Sequence, residues 1–326
     1  MSYLKTAIAA VLASVATGFA SVAGAAGDFP SKPIRIIAPS SPGGILDLTS
    51  RLVGEKLSQQ LNGHPVVVEN MPGGGGIIGI QGMLRAEPDG HTLVMGSLGP
   101  NAANYSLYSK LPYQPSDFSP VMNVISMPSV LVVNPGVPAN NLDEFKAYGL
   151  SRQGDFSMAI STMGASGHLI GEMLKSEMGL STINVVYKGA APAMTDLVGG
   201  QVNFMLDNMI TSLPMINSGR VRALAMFTEE RSPLLPDVPT VVEQGYPQLV
   251  GGTWIGLLVS SRTPADRVQK LNEMLNKVLA DPETREALIQ RGGDPVGGSP
   301  QDFERFIASE TERWEKVIKA TGMTIN

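Results

Sequence analysis

The chain has no cysteine among its 326 residues. That excludes disulfides, thiolate metal sites and a cysteine nucleophile together. Histidine is scarce: His64, His91 and His168 stand far apart and share no metal-ligand spacing. Aromatic residues are only 6%, basic residues do not cluster, and the formal charge is −5. Such a surface argues against nucleic acid as a partner. No G-x-x-x-x-G-K-[ST] stretch is present, so a Walker-type phosphate loop is excluded. Beyond residue 26 no apolar run approaches the ~20 residues that a membrane span needs.

What is present begins with an export signature. Residues 1–26 carry Lys5, the small apolar run TAIAAVLASVATGFA and then Ala23-Gly24-Ala25. This order predicts a signal peptide cleaved near Ala26. No cysteine follows the run, so a lipid anchor there is excluded. Cleavage would remove one lysine and no acid, leaving a formal charge of 23 − 29 = −6. The remaining length exceeds the roughly 100–200 residues of one domain, so two domains are expected.

Apolar β-branched runs alternate with helical patterns. PIRIIAP (33–39), PVVVEN (65–70) and HTLVMGS (91–97) read as strands. Between them lie a helix over 47–61, capped by Asp47 with Leu48, Leu52, Leu57 and Leu61 on one face, and a shorter one over 77–87. The rhythm returns with strands at 155–161, 183–187, 202–207 and 221–227 and helices at 168–178 and 190–198. Three helices close the chain, introduced by Thr263-Pro264, Asp281-Pro282 and Ser299-Pro300. Alternation of this kind implies an α/β fold with mostly parallel sheets covered by helices. VISMPSVLVVN (124–134) and TWIGLLVS (253–260) flank the middle portion and can cross between two lobes. The expected division is lobe I at 27–125 and 252–326, and lobe II at 126–251.

Three strand-to-helix turns are poor in bulky side chains: SSPGGILD (40–47), MPGGGG (71–76) and STMGASGH (161–168). In a wound α/β sheet, ligands bind beyond the carboxyl ends of strands, where such turns lie. A helix start offers unpaired N–H groups and a partial positive charge, which suit an anion. Neither 40–47 nor 161–168 contains Lys or Arg. The same small residues also serve as ordinary turn and cap residues. Gly74, Gly76 and Gly79 match G-x-G-x-x-G, but Asn70-Met71-Pro72 separate them from the strand and no ribose-binding acid ends the next strand. Gly164-Ala165-Ser166-Gly167-His168 approaches the hydrolase elbow G-x-S-x-G, yet position 168 is histidine. Ser166 reads better as a helix cap that offers a hydroxyl to a ligand. Asp207, at a strand end, could bind a ligand, cap a helix or orient Lys188.

FPSKPIRIIAP, PGGILDLTSRLVGEKL, PVVVENMPGGGGIIG, PDGHTLVMGS, VYKGAAPAMTDLVGGQVNFMLDN, RSPLLPDVPTVVEQG and DPVGGSPQDFERFI run in order along the chain. In these segments the sequence resembles the Bug (TctC-like) extracytoplasmic receptors of tripartite tricarboxylate transporters. The resemblance implies a type II periplasmic-binding-protein fold, two lobes joined by crossover strands and closing on a small carboxylate or dicarboxylate. It implies binding by Ser40, Ser41, Gly43, Gly44 and Asp47, by Gly76 and Ser97, and by Thr162, Gly164, Ser166 and His168, with Asp207 as a further candidate. The expected partners are a small organic acid and the membrane subunits of the transporter. A monomeric periplasmic receptor is expected, with no cofactor, no metal and no catalytic residue. A ligand sensor and an exported serine hydrolase using Ser166 and His168 are the alternatives. The chain departs from the family at Ser40-Ser41, at GASGH and at PNAANYSLY (100–108), all expected to line the pocket.

Overall fold

The computed structural model describes residues 29–325, so the expected signal peptide lies outside the described residues. From Lys32 onward the chain forms one compact unit. Strand β1 (Ile34–Ala38) is buried except at Arg35, which pairs with Glu69 of the neighbouring strand. The order continues with α1 (Ile45–Gln60), β2 (Val66–Asn70), a 3-10 turn (Gly74–Gly76), α2 (Ile77–Leu84) and β3 (Thr92–Ser97). A π-turn (Gly99–Ala103) and the single-turn α3 (Asn104–Leu107) follow. Next come β4 (Phe118–Val133), α4 (Leu142–Ser151), β5 (Ser157–Ile160), α5 (Ser166–Met178), β6 (Ile183–Val186), α6 (Ala190–Val198), β7 (Phe204–Asn208), α7 (Met209–Asn217) and β8 (Arg222–Met226). The chain closes with β9 (Gly252–Ser260), α8 (Ala265–Ala280), α9 (Pro282–Ile289), β10 (Asp294–Gly297) and α10 (Pro300–Thr321).

The strands run in the order β2-β1-β3-β9-β4-β7-β5-β6, with β8 and β10 also on β4. Two parallel wings result. In one, β1 lies parallel to β2 and β3. In the other, β5 lies parallel to β6 and β7. The antiparallel strands β4 and β9 join them. The first part of β4 pairs β9 as far as Pro128↔Gly252, and from Ser129 onward it pairs β7. Pro128 has no N–H to donate, so it suits the point where the ladder changes partner.

Several boundaries differ from the sequence reading. Helix α1 starts at Ile45 with Gly44 in the cap position, so Asp47 lies inside the first turn. Its buried face runs through Leu46, Ser50, Val53 and Leu57, while Leu48 is 37% exposed. Leu48 lies two residues, about 200° of helix turn, from Leu46 and so falls on the outer face. Helix α5 is capped by Ala165, which displaces Ser166 into the helix. At α8, which Thr263-Pro264 introduces, the cap position is Pro264 and not Thr263, and no side chain bonds it. Asp281 and Ser299 do cap their helices, through Thr284 N and Asp302 N. In α10, Phe303, Trp314 and Ile318 are buried, and the Phe303 ring meets Trp254 of β9 edge-on at 5.3 Å. That contact ties the C-terminal helix to a crossover strand. No helix among the described residues is long and apolar enough to cross a membrane.

Candidate functional site

The loop 40–44 leaves β1 and enters α1. Gly43 has φ +79°, a conformation costly for any residue with a Cβ. Gly44 follows with φ −77°, ψ 166°, and its N–H donates to the Ser41 carbonyl at 3.2 Å. Asp47, one turn on, reaches back: its Oδ2 accepts the Gly43 N–H at 2.8 Å. Its Oδ1 accepts from Asn70 Nδ2 at 2.9 Å and pairs Arg51 at 2.9 Å. Asn70 also donates to the Ser40 carbonyl at 3.1 Å, so the end of β2 staples the loop. Burial pushes the Asp47 carboxyl up, but the Gly43, Arg51 and Asn70 bonds together hold it below its ordinary value.

The loop 161–165 repeats this construction in the other wing. Gly164 has φ +75°. Ala165 follows with φ −77°, ψ 167°, and donates to the Thr162 carbonyl at 3.2 Å. The third helical residue again reaches back, and here it is His168, whose Nδ1 accepts the Gly164 N–H at 3.2 Å. Residues 40–44 and 161–165 therefore correspond one for one, and Asp47 corresponds to His168. His168 is buried, and that burial lowers its affinity for a proton; Glu172 opposes the effect and Lys175 adds to it.

Each of the five helices that follow a parallel strand, α1, α2, α5, α6 and α7, starts without a side-chain cap bond. Their first N–H groups are thus left to other acceptors. By contrast α4, α9 and α10 are each capped by a side-chain oxygen. All five helix starts at the carboxyl ends of the wing strands are thus uncapped, as is that of α8 after the antiparallel β9.

The two wings meet at these loops. A Cβ on Gly99 would lie 2.8 Å from the Gly164 carbonyl oxygen, and one on Gly75 would lie 3.4 Å from that of Met163. Gly76 is the start of α2, and Ser97 ends β3 with its N–H on Asn101 Oδ1 at 3.2 Å. Thr162 is exposed, its hydroxyl on the Ser161 carbonyl. Ser166 is 5% exposed at the first position of α5. Asp207 accepts from the hydroxyls of Thr211 and Ser212 at 2.6 and 2.8 Å, which serves the start of α7 and not Lys188. Burial pushes its carboxyl up, against those two bonds and the Asn208 amide. The structure thus brings Gly75 and Gly99 against the 161–165 loop and ties the 40–44 loop to the end of β2, while Asp47 and Asp207 each bond within their own wing.

Sequence reasoning missed the asparagines. Asn70 bonds the first loop, and Asn104 stands between the wings: its Oδ1 is 3.0 Å from where a Gly164 Cβ would be. Ser40 Oγ, Asn101 Nδ2, Asn104 Oδ1 and Asn208 Oδ1 are buried polar atoms without a partner. Such atoms are costly unless something bonds them. The available signal was positional: Asn70 and Asn208 end strands, and Asn101 and Asn104 are three residues apart on one turn. A separate cavity of about 520 Å³ beside the crossover, walled in part by Met127, Phe227 and Trp254, includes none of these loop residues.

A family model described as tripartite tricarboxylate transporter family receptor matches residues 49–323. Protein BugT of Bordetella pertussis is 36% identical over 296 residues, covering 90% of each chain. Among solved structures, R. palustris Rpa4515 with adipate superposes with a TM-score of 0.87 at 32% identity, covering 91% of this chain and 99% of that one. MatC (Rpa3494) from Rhodopseudomonas palustris, with bound malate, gives a TM-score of 0.84 at 32% identity, covering 89% and 100%. The fold is that of the two-lobed periplasmic binding proteins.

Proposed function

The chain belongs to the tripartite tricarboxylate transporter receptor family, and from that premise we propose that it captures a small dicarboxylate between its wings and hands it to membrane subunits. The observation that carries this reading is the matched pair of loops, 40–44 and 161–165, each with a left-handed glycine and an uncapped helix start. One carboxylate would bind at each, held by N–H and hydroxyl donors with the helix dipole and without a cationic clamp. Gly76, Ser97 and Ser166 flank that space. A ligand gripping both wings favours the closed form, which a membrane partner can distinguish from the open one.

We place lobe I at 27–125 and 252–326 and lobe II at 126–251. The partner change of β4 near Pro128 and the start of β9 at Gly252 support that division. Export to the periplasm and the absence of turnover belong to the same proposal. Ser166 and His168 stand two positions apart on α5, where side chains do not face each other, so nothing in their geometry favours the hydrolase alternative.

Calorimetry and thermal unfolding with a panel including adipate and malate test the proposal. A bound acid at 100-fold above its Kd should add about 2.7 kcal/mol of stability. Binding of a neutral sugar or a cation, with no response to any acid, would overturn it.

A further inference from the structure

We propose that His168 is a positioning residue for the loop 161–165, doing through a neutral imidazole what Asp47 does for 40–44 through a carboxylate. The proposal rests on the receptor reading in one respect only, that this loop faces the ligand. The Gly164 N–H bonded to His168 Nδ1 is the amide just before the helix cap. Holding it keeps Gly164 at φ +75°, and that dihedral aims the following helix start. An acceptor at Nδ1 requires the tautomer with its proton on Nε2. Nε2 stands 3.9 Å from Glu172 Oε1, too far to compete for the ring.

The charges around the ring are accounted for. On α5 itself, Glu172 is tied to Lys175 at 2.8 Å and to Asn184 at 2.7 Å. From β7, Asp207 is turned to Thr211 and Ser212. From α10, Glu310 and Arg313 pair with each other at 3.6 Å, and Arg313 also bonds the Val250 carbonyl. Strands β5 and β9 and the turn 247–249 bring no titratable group. Glu172 is the carboxylate nearest the ring, and with its charge shared by Lys175 it offsets the burial of an imidazolium only in part. Protonating Nδ1 turns the acceptor into a donor facing a donor, and the Gly164 amide loses its partner. The loop 40–44 has no such weakness, because Asp47 stays ionised over the same range.

The test compares the wild type with His168→Ala and His168→Asn, using adipate and malate as probes. Asparagine places a carbonyl oxygen near the Nδ1 position and cannot be protonated there. We expect His168→Ala to weaken acid binding about tenfold, the value of one lost hydrogen bond, and His168→Asn to recover most of that. Between pH 7.5 and 5.5 the wild type should lose affinity relative to His168→Asn, a difference that cancels the probe's own protonation. Nitrogen-15 spectra of the wild type should show an unprotonated Nδ1 at pH 7.5. Wild-type affinity in His168→Ala, parallel pH curves for wild type and His168→Asn, or a proton on Nδ1 at pH 7.5 would each overturn the proposal. If the wild type binds neither acid, the receptor reading fails on those ligands, while the nitrogen-15 spectrum still decides the tautomer on which this role depends.

Discussion

Loops 40–47 and 161–168 share a backbone and differ in what holds it. Both have a left-handed glycine, an extended cap residue without a side-chain cap bond, and a side chain one turn on that accepts the glycine amide. In the first loop that side chain is Asp47, which also bonds Asn70 and Arg51. In the second it is His168, whose hydrogen bond is to the Gly164 N–H. A carboxylate with several charge-assisted donors makes the firmer anchor. The comparison teaches that one turn geometry was reached with two strengths of restraint. Under the proposed function, one wall of the cleft would be set beforehand and the other could adjust.

The largest expected effect comes from breaking the firmer anchor. Asp47→Ala leaves the Gly43 N–H without its acceptor and takes one acceptor each from Asn70 and Arg51, which keep the Ser40 carbonyl and Asn70 Oδ1 respectively, and should cost about 2–3 kcal/mol. Urea unfolding of the variant measures this. A loss no greater than that of His168→Ala would erase the proposed difference between the loops.

Next in size are the glycines. A Cβ placed on Gly43 would meet no atom within 4 Å, so Gly43→Ala should cost only the left-handed backbone, about 1–2 kcal/mol. At Gly164 the same backbone penalty applies, and the new carbon would lie 3.0 Å from Asn104 Oδ1. Gly164→Ala should therefore cost more than Gly43→Ala, as paired unfolding curves would reveal.

The smallest effect is that of mild acid. Asp47 has a folded pKa below its ordinary value. Its contribution is present above about pH 4, the unfolded carboxylate value, and is lost as pH falls through the folded pKa. His168 is also lowered, from 6.5. The folded state then binds fewer protons than the unfolded chain, so its contribution declines as pH drops below about 6.5. Between pH 7.5 and 5.5 amide exchange, corrected for its intrinsic pH dependence, should quicken at Gly164 and hold steady at Gly43. Equal behaviour of the two amides would remove the distinction.

Legibility in the sequence follows the range of the forces involved. Asp281-Pro282 and Ser299-Pro300 are legible as helix starts, because a cap bond spans three residues and needs nothing else. Asp47 and Ser166 mislead as caps for a related reason. At each start a residue with no capping side chain, Gly44 or Ala165, takes the extended conformation, and the polar residue falls inside the first turn. The turns over 99–107 escape a sequence reading because PNAANYSLY carries no helical period of apolar residues. Asn70 and Asn104 escape it because their partners lie in other segments.

By itself, then, the sequence determined the alternation of strands and helices, the small-residue loops and their lack of cationic side chains. Local propensity, period and residue size suffice for those features. Only the tertiary structure decided that the two loops are copies of one turn, that Asp47 and His168 hold equivalent amides, and that Gly99 and Gly75 approach the second loop. Those facts depend on φ values and on contacts between segments far apart in the chain, which no local pattern encodes.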